Sequence, residues 1–169
     1  AAALAQLLVL VVAALAWSQP GLGENRPLSV GAAAGGALRI ADSRGEAAIL
    51  ETSALRPGGK VAGSLTIENL GAPAGLELSR GHLTERLGAG GGSLAAALRL
   101  RIHDLSDGAG KLVYQGALVA MPTLRLGNLP TGAQRRYRLV ARFPEPGLVD
   151  NGLMGARVRF DYRWHLRRQ

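Results

Sequence analysis

The segment ARVRFDYRWHL, residues 156–166, alternates without a break. Ala156, Val158, Phe160, Tyr162, Trp164 and Leu166 fall on one side; Arg157, Arg159, Asp161, Arg163 and His165 fall on the other. Successive side chains of an extended chain point to opposite faces, so this pattern predicts a strand with one apolar face and one charged face. A helix would scatter the six apolar residues around its circumference. The apolar face needs a second layer to cover it, so the chain must fold as packed layers.

Shorter runs of the same kind precede it. ALRIAD (37–42) and AAILETS (47–53) flank the turn SRGE. RPGG (56–59) is a turn signal with proline at the corner. KVAGSLTIENLG then puts Val61, Gly63, Leu65 and Ile67 on one face, and AGLELSR (74–80) alternates likewise. LRLRIHDLS sets Leu98, Leu100 and Ile102 against Arg99, Arg101 and His103. KLVYQGAL follows, and RRYRLVARF sets Tyr137, Leu139, Ala141 and Phe143 against Arg136, Arg138 and Arg142. TERLGAGGGSLAAAL breaks the rhythm with a glycine run, read as a flexible loop, and one helical turn over 93–98. The 24 glycines lie mostly between periodic runs, which is the mark of short strands joined by turns. The expectation is an all-β antiparallel sandwich of about eight strands. With aromatics at 4 %, aliphatic side chains must fill most of its core.

The front of the chain is different. AAALAQLLVLVVAALAWSQPG carries no charge, and Ala14-Leu15-Ala16 has the small-x-small form of a leader-peptide cleavage site. Residues 1–16 read as the apolar core of a signal peptide whose start is truncated, with an uncleaved membrane anchor as the rival. On either reading the rest of the protein lies outside the cytoplasm. Residues 17–36, rich in Gly, Pro and Ala, read as an extended arm, and 37–169 as the sandwich domain. With no cysteine in the chain, disulfides, thiolate metal sites and a cysteine nucleophile are excluded.

The segments LRPGGKVAGSLTIENLGAPAGLEL, LRLRIHDLSDGAGKLVYQGAL, LGNLPTGAQRRYRLVARFPEP and DNGLMGARVRFDYRWHLRRQ, in this order and spacing, resemble the TasA/camelysin (CalY-type) family of secreted surface and matrix proteins. LAWSQPG resembles the end of the SipW-type signal peptide that those proteins carry. The resemblance covers nearly the whole chain. It implies a jelly-roll-like β-sandwich and a subunit of an extracellular matrix or surface fibre, in which the N-terminal segment of one subunit completes the sheet of the next. That makes a head-to-tail homopolymer of the protein with itself. The donor candidates are Arg26, Leu28 and Val30 of RPLSV, and Leu38 and Ile40 of ALRIAD. Gly and Pro weaken the arm as a strand.

Enzymatic chemistry finds little footing. The histidines, His82, His103 and His165, lack the HExxH spacing of a zinc peptidase. A surface metal site using His103 and His165 as neighbours across a ladder, or the loop pair His82 and Glu85, is the residual metallopeptidase alternative. No GxSxG elbow is present, and GAGGGS lacks the Lys-Ser/Thr end of a phosphate loop. Asp150 and Asn151 read as turn residues, with a cation site shared with Glu145 as the alternative. No cofactor, catalytic residue or small-molecule substrate is expected. The net charge of +8 is nearly all arginine. Arg99, Arg101, Arg136, Arg138, Arg142, Arg157, Arg159 and Arg163 all fall on outward faces, and would form one basic plate if their strands share a sheet. Such a plate is either a solvated exterior or the contact surface of a monomeric secreted adhesin for an anionic extracellular polymer.

Overall fold

The computed structural model describes residues 4–11, 38–42, 50, 52, 55–144 and 151–167. The arm residues Arg26, Leu28 and Val30, most of the expected strand 47–53, and Glu145 with Asp150 lie outside the described residues. The elements are β1 (Leu4–Val11), β2 (Leu38–Asp42), β3 (Lys60–Asn69), β4 (Ala74–Arg86), α1 (Leu94–Ala97), β5 (Arg99–Asp104), β6 (Lys111–Ala117), β7 (Leu124–Leu129), β8 (Gln134–Arg142) and β9 (Arg157–Arg167). Single 3₁₀ turns follow β6 (Leu118–Ala120) and precede β9 (Asn151–Leu153).

The strands form two antiparallel sheets. One has the order β1-β9-β4-β7, the other β2-β3-β8-β5-β6. The chain is thus all-β and sandwich-like, and the two sheets share one core. The alternation read in the sequence decides which face goes in. On β9, Ala156, Val158, Phe160, Tyr162, Trp164 and Leu166 are all buried. They meet Leu65 and Ile67 of β3, Tyr137 and Leu139 of β8, and Leu100 and Ile102 of β5 in one cluster. The Tyr137 and Trp164 rings, one from each sheet, stand 5.1 Å apart. Offset aromatic contact of this kind adds to plain area burial.

Two corners bound β3, and the second carries the chain from one sheet to the other. RPGG forms a type II turn: Gly58 takes φ +78°, and the Gly59 amide donates to the Arg56 carbonyl at 2.8 Å. Proline suits the first corner position and glycine the second. At the β3–β4 corner, Asn69 is fully buried. Its Nδ2 donates to the carbonyls of Ala72 (2.9 Å) and Leu129 (2.8 Å), and its Oδ1 accepts from the Gly71 amide. One side chain thereby binds the turn to the end of β7. Arg135 is a second clamp between the sheets, donating from β8 to the Leu126 and Asn128 carbonyls of β7.

The structure departs from the sequence reading in several places. β4 runs well past Arg80, so His82 and Glu85 stand on a strand rather than in a loop. It continues through a bulge at Gly81, where a Cβ would meet Asp161 Cβ at 2.9 Å and Arg163 Nε at 3.0 Å. β7 and β1 are strands that the alternation in the sequence does not predict. The glycine-rich stretch is no loose loop: the Ala89 amide donates to the Met154 carbonyl and the Gly92 amide to the Gly152 carbonyl. A Cβ on Gly92 would sit 2.8 Å from the Gly152 carbonyl, so the two backbones touch. The expected helical turn is present as α1, capped by Ser93, whose Oγ accepts from the Ala96 amide. Glu85 completes that cap, accepting from Ser93 Oγ (2.9 Å) and the Ala95 amide (2.8 Å).

Candidate functional site

Pairing partners decide what the arginines can do together. β5 and β8 are neighbours in the five-stranded sheet, whereas β9 belongs to the other sheet. The single basic plate is therefore divided. Arg99, Arg101, Arg136, Arg138 and Arg142 share the outer face of one sheet and are all exposed. Arg157, Arg159 and Arg163 lie on the outer face of the other. Alternation fixes the face of a strand but not the sheet that it joins.

The two faces also differ in charge balance. Beside β9's row, Glu77 of β4 draws in Arg125 (3.7 Å) and Arg167 (3.6 Å). Asp161 interrupts the row itself, and Arg163 is half-buried with no partner for its Nε. On the five-stranded sheet the acids stand at the margins: Glu68 pairs with Arg39 (3.3 Å) and Asp104 with Arg135 (3.8 Å). Toward the opposite end of the sheet is a row that no acid among the described residues enters. Lys60 of β3 stands opposite Arg142 of β8, which stands opposite Arg99 of β5. Arg101 follows two residues along β5. Among the described residues, none of these four cations makes an ion pair. A shallow groove runs over them, with the half-buried Val140 and His103 among its lining. His103 turns its Nδ1 toward the Gly110 carbonyl at 3.4 Å. Lys60 is the member that the arginine pattern left out. Its place just before Val61 on an alternating strand already put it on the outer face.

The alternative metal pair does not form. His103 lies on β5 and His165 on β9, in different sheets, so they are not neighbours across a ladder. His82 is exposed, and Glu85 is spent on the cap of α1. Among the described residues no three His, Cys, Asp or Glu side chains come together as a metal site.

The donor candidates Leu38 and Ile40 form the edge of the five-stranded sheet, opposite Asn69 and Ile67 of the same chain's β3. Leu38 is buried and Ile40 half-buried. On the other sheet, β1 lies antiparallel to β9 over its full length, from Leu4 opposite His165 to Val11 opposite Val158. Residues 4–11 fall inside the segment read as a leader, so that segment and the most apolar strand of the core are paired partners.

The tyrosines are the titrating groups with perturbed protonation. Burial raises Tyr137 to about 12, with the Arg135 guanidinium opposing. Burial pushes Tyr162 well above its usual value, and Tyr114 adds to the shift. Tyr114 itself is raised by burial against the pull of Arg99 and Arg80. None faces a site where a phenolate would do chemistry.

No protein-family model matches this chain, and no curated protein sequence matches it.

Proposed function

We propose that this protein is a secreted structural subunit of an extracellular matrix or surface fibre, built on a jelly-roll-like sandwich. Copies join head to tail when the N-terminal segment of one adds as a strand to the sheet of the next. The observation that carries this reading is the β1–β9 ladder. An N-terminal strand occupies the edge of β9 over eight residues, and main-chain pairing of that kind serves equally within a chain or between chains. The 26 residues from 12 to 37 reach at most ~90 Å when extended, enough for either arrangement. Cleavage after Ala16 removes β1 and opens β9. The arm of a neighbouring copy, with RPLSV as its donor segment, then fills the place. The resemblance to TasA/camelysin proteins supports the same reading. The role is structural, without catalysis or cofactor.

The test is negative-stain microscopy of residues 17–169 beside residues 37–169, which keep β2 but lack the arm. Filaments from the longer chain alone support the proposal; monomers from both sink it. The adhesive alternative rests on a different observation, a row of cations that make no ion pair among the described residues, and does not require assembly.

A further inference from the structure

The geometry points to an oxyanion-binding subsite on the outer face of the five-stranded sheet, formed by Lys60, Arg99, Arg101 and Arg142, that takes the carboxylates of an acidic polysaccharide. The inference stands apart from fibre assembly and holds for a single copy.

The first argument is the arrangement of charge. Neighbouring strands lie ~4.8 Å apart and alternate residues of one strand ~7 Å apart. Lys60, Arg142 and Arg99 therefore stand in single file across three strands, about 10 Å end to end, with Arg101 one step to the side. Like charges placed directly opposite one another across a ladder destabilise a sheet. This chain places three in one row, and among the described residues Glu68 and Asp104 of the same sheet are paired elsewhere. A bound oxyanion removes that repulsion, so the row costs least when it is filled.

The second argument is residue type. Three of the four cations are arginine, whose planar fork matches a carboxylate with two parallel hydrogen bonds. The same groove offers the Gln115 amide and the His103 ring, hydrogen-bonding partners suited to hydroxyl groups between the charges. A polymer that alternates carboxylates with hydroxyls answers both. A nucleic acid fits less well. Among the described residues the groove has no Phe, Tyr or Trp ring to serve as a broad platform for a base, and a single file of cations about 10 Å long follows one strand of anions.

The experiment is calorimetric titration of the full chain with polygalacturonate oligosaccharides at ~0.15 M salt, where weak exposed contacts are screened. Saturable binding is expected. Arg142→Glu should weaken it about tenfold or more, whereas Arg159→Glu, the same charge change on the other sheet, should leave it within about twofold. Arg142→Glu puts a carboxylate between Lys60 and Arg99, so it should melt no lower than the parent, and lost binding then reports the site and not the fold. Arg101→Gln, which leaves the row intact, is the second variant and should weaken binding several-fold. The inference is overturned if the parent does not bind at this salt, if Arg142→Glu and Arg159→Glu weaken binding equally, or if Arg101→Gln has no effect. Duplex DNA bound as tightly as the polyuronate under the same conditions overturns the assignment to a polysaccharide.

Discussion

Tyr137, Tyr162 and Trp164 bring large apolar surfaces to the centre of the core, and each also brings a polar atom. Tyr162 Oη and Trp164 Nε1 are buried with no hydrogen-bond partner among the described residues, while Tyr137 Oη has the Arg135 guanidinium beside it. An unpaired buried hydroxyl costs stability that the unfolded chain, hydrated, does not lose. Tyr162→Phe keeps the ring and its edge-on contact with Phe160, centroids 5.2 Å apart, while removing that cost. It should match the parent or exceed it by about 1 kcal/mol in urea unfolding. Trp164→Ala, which empties a large space, should cost ~3–5 kcal/mol. A clear loss from Tyr162→Phe would mean that the hydroxyl is satisfied. The same residues set the alkaline limit. In the unfolded chain a phenol ionises near pH ~10, but in the fold Tyr137 keeps its proton to about 12. Between these values the unfolded state has lost a proton that the folded state retains. Stability is therefore full below pH ~10 and falls as pH rises through this window. Tyrosinate absorbance beyond that of the half-buried Tyr114 should rise together with the loss of β-structure; ionisation of more than one tyrosine in an intact fold would contradict the burial of Tyr137 and Tyr162.

Strands were legible where the alternation was clean. On β3, β5, β8 and β9 the inward residues read from the sequence are the buried ones. β7 was missed for a local reason: Leu124 and Leu126 are only half-buried, and Gly127, at φ +88°, and Asn128 interrupt the pattern. β1 was missed because an unbroken apolar run has no period to read, and a leader explains it equally well. The arginine face was legible as a face and not as a site, because the partner of each strand is set by non-local pairing. The glycine run misleads for the opposite reason. Glycines signal freedom in isolation, yet Gly88, Gly90 and Gly92 lack side chains so that another backbone, Gly152–Leu153, can approach. Gly92→Ala should therefore cost ~1–3 kcal/mol as an overpacked contact, measured by thermal unfolding. A variant of unchanged stability would show that the loop gives way.

At the scale of the whole molecule, the first and last described strands are partners. β1 pairs with β9 and β9 with β4, so the last strand sits between the first strand and one from the middle of the sequence. Contacts so distant in sequence close late and make such a domain slow to complete. They also leave one strand whose pairing depends on a segment at the far end of the chain. β9 carries the richest apolar face of the sandwich, and its β4 side is fixed over ten paired positions. Without β1 it stays in the sheet but presents a row of unpaired amides and carbonyls, which is a template for any added strand. Hydrogen exchange reads this directly. In residues 17–169 kept monomeric by dilution, β9 amides that face β1 should exchange fast, and the alternate amides that face β4 should stay protected. A peptide carrying RPLSV, or assembly of the protein itself, should return protection to the fast set alone. If both sets exchange together, β9 detaches as a unit and offers no edge for a neighbour. If neither set is fast without β1, another segment of the same chain already covers the edge, and assembly must use a different one.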